Sequence, residues 1–140
     1  MRYLESKVER TFVVKLEMGD DVLKSIEKVA KDCSIANAAF TAIGAVGKAK
    51  LGHWRDGEYA SREFDQQMEI VSCMGNVLLK NGEPLVHGHI VVSDSNMRSF
   101  GGHLFEGCTI SGAGEVFIFE LASKILRSFD EKTKLFLIDI

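Results

Sequence analysis

Histidine is scarce in this chain: there are four in 140 residues, and His87, His89 and His103 fall inside seventeen positions. They lie in LVHGHIVVSDSNMRSFGGHLFEG, residues 85–107. Alternate side chains on a strand share a face, roughly 6.5 Å apart. His87 and His89 therefore point the same way, together with Val91 and Ser93. Val86, Gly88, Ile90 and Val92 make the opposite, apolar face, which is the natural core side. The two imidazoles look away from that core, into solvent, a pocket or a subunit interface.

Whether His103 joins them is a question of register. If the loop is the four residues of DSNM, 94–97, Ser93 pairs with Arg98 and His103 falls on the wrong face. One extra loop residue, or a bulge at Gly101-Gly102, sets His103 opposite His89. Three convergent imidazoles suit zinc, which takes neutral imidazole nitrogen at ~2.0–2.1 Å and keeps a fourth position for water or substrate. Other divalent metals use the same donors. The nearby glycines are expected to clear space around the ion. His53 has no partner by spacing and reads as a structural or surface residue. Cys108 is opposite in strand parity to His103 and reads as core. An enzyme would need a general acid or base beside the ion; Glu106, Asp94 and Glu69 are the available carboxylates, but spacing does not select among them, and solvated surface charge is the ordinary role of such residues. No Ser-His-Asp or Cys-His pairing supports nucleophilic catalysis.

The elements that must position these residues can be read along the chain. Arg10–Met18 alternates as a strand, with Phe12, Val14 and Leu16 on one face. GDD at 19–21 breaks it and offers Asp20 or Asp21 as an N-cap. Val22, Ile26, Val29, Ala30 and Cys33 then follow helical spacing, giving a helix over 22–33 with one buried stripe. Past it the texture changes to strands punctuated by Gly44, Gly47 and Gly52, which suggest a bulge or close backbone approach. Asp56-Gly57 and Asn81-Gly82 are hairpin signals. QMEIVSCMGNVLL alternates loosely, with Met68, Ile70, Ser72 and Met74 on one side, and GEVFIFELA and KLFLIDI read as two more strands. The pattern is a single α+β domain over residues 1–140, mostly antiparallel sheet with at least one packed helix.

Composition narrows the function classes. With 17 basic against 20 acidic residues the net charge is −3, which argues against binding nucleic acid by clustered Lys and Arg. Three widely spaced cysteines without a CxxC read as small buried hydrophobes in a reducing compartment. The charged opening MRYLESKVER is unlike a secretory signal, and no stretch is long and apolar enough to span a bilayer. A cytoplasmic location, with no membrane partner, is the expectation.

EPLVHGHIVVSDSNMRSFGGHLFEGCTISGAGEVFI, with GDDVLKSIEKVAKDCSI, AIGAVGKAKLGHW, MEIVSCMGNV and ILRSFDEKTKLFLI, resembles the plant-and-prokaryote conserved (PPC) domain in its free-standing prokaryotic form. The combination of HGH with GGHLFEG carries most of that resemblance. It implies an antiparallel sheet flanked by helices, assembled as a homotrimer, with an architecture similar to that of acetolactate decarboxylase. It also implies a metal, zinc first, on His87, His89 and His103. Plant relatives join this domain to an AT-hook, a Gly-Arg-Pro segment; this chain has no Gly-Arg-Pro, and its one proline is Pro84. The leading expectation is a homotrimeric metal-binding module of unassigned small-molecule ligand. Its rivals are a zinc-dependent hydrolase or lyase and a DNA-associated protein. The last would need a basic strip built from Lys48, Lys50 and Arg55, beside which Asp56 and Glu58 already stand. A cupin fits poorly, because Asp94 stands where that motif usually has glutamate and the helix has no place in it.

Overall fold

The computed structural model describes residues 1–140. Strand β1 (Val8–Leu16) leads into helix α1 (Val22–Asp32). Seven strands follow: β2 (Asn37–Arg55), β3 (Glu58–Lys80), β4 (Glu83–Ser93), β5 (Ser99–Leu104), β6 (Thr109–Leu121), β7 (Leu126–Asp130) and β8 (Leu135–Asp139). They join in one sheet in the order β1-β6-β2-β5-β4-β3-β7-β8. Strand β2 also pairs with β3, so β2, β5, β4 and β3 close into a small barrel. Closure leaves those four strands without an open edge.

The turns explain the long hairpins. Asp56 and Gly57 have φ of 53° and 92°, and Asn81 and Gly82 have 53° and 85°. Two successive residues at positive φ make the type I′ turn, whose twist matches the strands it joins. These turns connect β2 to β3 and β3 to β4. The polar run SREFDQQ does not interrupt β3, whose 23 residues pair with β2 from Glu58 to Leu78.

Two expectations are corrected. There is one helix rather than the flanking helices that the resemblance implies, because every regular element beyond residue 33 is a strand. The chain's last segment forms the β7–β8 hairpin, of which only the second strand was legible. The face assigned to Met68, Ile70, Ser72 and Met74 breaks midway. A register shift between Ile70 and Ser72 puts Met68, Ile70 and Cys73 inside and leaves Met74 59% exposed. A bulge adds one residue to a strand and so exchanges its two faces. The bulges suggested by the glycines of β2 are present, with shifts at Ala42/Gly44 and Val46/Lys48.

The core runs through the barrel and under the helix. Val22, Ile26 and Ala30 of α1 join Val86, Ile90 and Val92 of β4 in one buried cluster. Cys73 and Cys108 belong to that cluster, while Cys33 is half-buried at its margin. Asp21 caps the helix by accepting the Lys24 N–H at 3.0 Å, and its other oxygen accepts the Gly107 N–H at 2.7 Å. One carboxylate thus ties the start of α1 to the turn that follows β5. Replacing Asp21 with Ala is expected to cost about 1–2 kcal/mol in urea denaturation, with Asp21→Asn retaining most of the cap.

Candidate metal centre

Strands β4 and β5 pair with His89 opposite His103 and Ser93 opposite Ser99. The loop between them is therefore Asp94–Arg98, five residues, and no bulge at Gly101-Gly102 is required. The reason lies in Asp94. Its Oδ1 accepts the N–H groups of Asn96 (2.9 Å) and Arg98 (3.0 Å), and its Oδ2 accepts from Arg98 Nε at 2.8 Å. The Asp94 N–H donates to the Arg98 carbonyl at 3.0 Å. The buried carboxylate winds the loop around itself, and Met97 takes a φ of 61° to close it.

With that register, His87, His89 and His103 share one outward face. Their ring centroids stand 5.2–5.7 Å apart, and one ring nitrogen from each lies within 4.8 Å of the others. His87 and His103 are half-buried and His89 is exposed. Burial, reinforced by the neighbouring imidazoles, pushes the His103 pKa down to about 4. Burial, then Arg127, then His89 lower that of His87. Both rings are thus neutral at pH 7 and have lone pairs to offer.

The glycines do a different job from the one expected of them. Gly75 and Gly88 pair across β3 and β4 on the core side, and the Phe40 ring lies over both. A Cβ on Gly75 would meet the His87 carbonyl at 2.1 Å, and one on Gly88 would meet Phe40 at 2.8 Å. A Cβ on Gly102 would meet the Gly52 carbonyl at 2.6 Å. They let backbones and an aromatic ring close up behind the imidazoles, rather than opening room in front of them.

The carboxylates are elsewhere. Glu106 is exposed and pairs with Lys24 of the helix at 3.1 Å. Asp94 is spent on its loop. Glu69 pairs with Ser93, four residues along β4 from His89 and so about 13 Å away. His53 is exposed in β2 and does not belong to the group. Lys48, Lys50 and Arg55 each face an acid, respectively Asp65, Glu63 and Asp56.

Two neighbours of the imidazoles were not foreseen. Tyr59, just past the Asp56-Gly57 turn, places its hydroxyl 3.5 Å from His103 Nδ1 and its ring 4.7 Å from the imidazole. Arg127 of β7 donates from Nη2 to His87 Nδ1 (3.1 Å) and Asn76 Oδ1 (2.8 Å), and from Nη1 to the Phe136 carbonyl (2.7 Å). Burial lowers its pKa. Turn chemistry makes Tyr59's strand legible, but nothing in the spacing announces Arg127, which lies 24 positions past His103. A cleft of about 230 Å³ opens between these residues and the β7–β8 hairpin.

A small closed antiparallel barrel backed by one helix, with three imidazoles gathered on its outer face, defines the class. The sequence matches the Plants and Prokaryotes Conserved domain over residues 3–122, and the chain belongs to that family. A metal-containing protein from Archaeoglobus fulgidus is similar at 35% identity, with a TM-score of 0.89 over 98% of both chains. A plant- and prokaryote-conserved protein from Pyrococcus horikoshii is 29% identical, with a TM-score of 0.90 over 100% of this chain and 99% of that one. The bifunctional protein GlmU of a Synechococcus strain is 29% identical over 112 residues; the match takes in 76% of this chain but only 16% of that protein's length. No helix of the chain is long and apolar enough to cross a membrane.

The Asp94 loop carries a prediction about pH. Hydrogen bonding to Arg98, helped by the Arg98 and Asn96 N–H groups, holds the Asp94 carboxyl below its ordinary range against the opposing effect of desolvation. A depressed carboxyl pKa contributes stability above the unfolded value of roughly 3.9, and that stability is lost as pH falls through the folded value. Asp94→Asn should therefore lower Tm at pH 7, with the gap to the parent closing below about pH 4. The same variant should speed amide hydrogen exchange in β5.

Proposed function

We propose that this protein is a metal-binding module, with zinc the preferred ion, held by His87, His89 and His103 and leaving a fourth position for a small molecule. The observation that carries this is the meeting of three imidazoles, two of them neutral by burial, on one face of paired strands. Tetrahedral ligands at ~2.0–2.1 Å stand about 3.3 Å apart, so binding draws the rings slightly inward. One contact must give way. Arg127 can only donate, so it holds a lone pair on His87 Nδ1 and leaves the proton of the neutral ring on Nε2. A metal on either nitrogen displaces that arrangement. The metal-containing relative at 35% identity supports the reading.

Such an ion would supply Lewis acidity and lower the pKa of a bound water. That is the basis of the second reading, a zinc-dependent hydrolase or lyase, and the cleft beside the imidazoles favours it. The module reading takes precedence because Glu106, Asp94 and Glu69 are all placed away from the imidazoles, leaving none of them in position to shuttle a proton.

Assembly as a homotrimer fits the same face. Val13, Phe117, Thr41, Met74, His89 and His103 form one cross-strand row from β1 to β5. Val13, Phe117 and Met74 are exposed, and an apolar row of this length on a sheet is a surface that association covers. The row ends at the imidazoles, so a neighbouring subunit seated on it would border the metal.

Elemental analysis of purified protein tests the metal. About one zinc per chain is expected in the parent, with affinity reduced well over ~100-fold in each of His87→Ala, His89→Ala and His103→Ala. No metal in the parent after zinc is supplied would refute the site. Light scattering tests the assembly: the parent should weigh three chains, and Phe117→Arg should release monomers.

A further inference from the structure

Arg127 is a half-buried cation without a counter-charge. Its contacts, to the Phe136 carbonyl, Asn76 Oδ1 and His87 Nδ1, are all to neutral acceptors, and it joins no ion pair. Its Nε–H is buried without any acceptor. Buried charges are ordinarily paired, because desolvating a lone ion is costly. Arg127 is also one of the residues that line the cleft of about 230 Å³ beside His87 and His103. The rest of that lining is largely apolar: Leu85, Val86, Leu135, Phe136 and Leu137, with the Tyr59 ring. A cation on the wall of a small apolar cleft is what a ligand with an acidic head and a hydrocarbon body requires. The second charge of phosphate exceeds what Arg127 alone would balance, whereas a carboxylate matches the guanidinium fork in both charge and shape.

We infer that the cleft between the histidines and the β7–β8 hairpin binds a small organic carboxylate, its acidic head on Arg127 and its apolar body against Leu135, Phe136 and Leu137. This deepens the module reading by naming the ligand class, but the Arg127 anchor stands on its own residues. The hairpin lies beyond the residues matched to the family, so the anchor and its apolar wall are features of the segment that follows them.

The test is isothermal titration with sodium hexanoate, using hexanamide and inorganic phosphate as comparison ligands, on zinc-loaded and EDTA-treated protein. Hexanoate should bind at least tenfold more tightly than either comparison ligand. Arg127→Gln should lose that affinity tenfold or more in every form that binds, and Arg127→Lys, which keeps the charge but not the fork, should fall between. Circular dichroism and zinc content should match the parent in both variants; if the Gln variant misfolds, the Lys variant alone carries the comparison. Equal binding of hexanoate and hexanamide, binding of phosphate as tight as hexanoate, or no binding at all would overturn the inference. Hexanoate binding that needs zinc and ignores Arg127→Gln would also overturn it, while leaving the metal site standing. Conversely, protein that takes up no zinc yet binds hexanoate through Arg127 would retain this inference and lose the metal reading.

Discussion

The arrangement of this protein hangs on one register, that between β4 and β5. Side chains alternate along a strand, so slipping β5 by a single residue would send His103 into the core and bring Gly102 or Leu104 outward. The short β5 strand opposes this only through Leu104, its one fully buried side chain, since two of its six residues are adjacent glycines. The loop forbids it. Asp94 draws the backbone of Asn96 and Arg98 and the Arg98 side chain onto one buried carboxylate, which fixes the loop at five residues and Ser93 opposite Ser99. A carboxylate with the composition of a metal ligand thus acts at a distance, by setting which face the third imidazole joins.

The barrel supplies a second constraint on the same residues. Strand β5 is held on one side by β4 and on the other by β2, where Gly52 pairs with His103. Gly102 passes so close to the Gly52 backbone that no Cβ fits, and the Phe40 ring closes over Gly75 and Gly88 behind the histidines. The core side is therefore filled to contact directly beneath the imidazoles. Helix α1, with Asp21 bonded to both Lys24 and Gly107, presses on that side and stabilises the exit from β5. The imidazoles stand on the other, outer face, so closing them on an ion would leave the packing below undisturbed.

The parts of this design carried by local chemistry could be read from the sequence. Asp56-Gly57 and Asn81-Gly82 can hardly be anything but hairpin turns, the stripe from Val22 to Ala30 can hardly be anything but a helix, and the HGH alternation settles the face of two histidines. The parts that depend on contacts distant in sequence were out of reach. A bulge after Ile70 leaves no local mark, so alternation alone puts Met74 on the wrong face. Glycines beside histidines look like space for a ligand, and only the position of Phe40 shows that they serve packing. Asp94 reads as one of three carboxylates available as a general acid or base until its partners are seen, because an Asx-type loop and a catalytic carboxylate use the same residue. The strand carrying Arg127 alternates too weakly to register, and its partner residues His87 and Asn76 lie 40 and 51 positions away.

That last residue changes how the site is understood. Seen from the histidines alone, the outer face is an open three-nitrogen platform with the Tyr59 hydroxyl beside it and no carboxylate nearby. Seen with β7 and β8 in place, it is one wall of a cleft whose other wall is apolar and whose positive charge is unbalanced. Arg127 and a metal would compete for His87, since the guanidinium holds the lone pair that a metal would take or oppose. A bound anion would resolve that competition, drawing the guanidinium off the imidazole and meeting the metal's charge from the open side. The two cations would then be partners for one ligand rather than rivals for one ring. On this view the hairpin would complete the site, since it brings to the imidazoles a charge that the barrel does not itself provide.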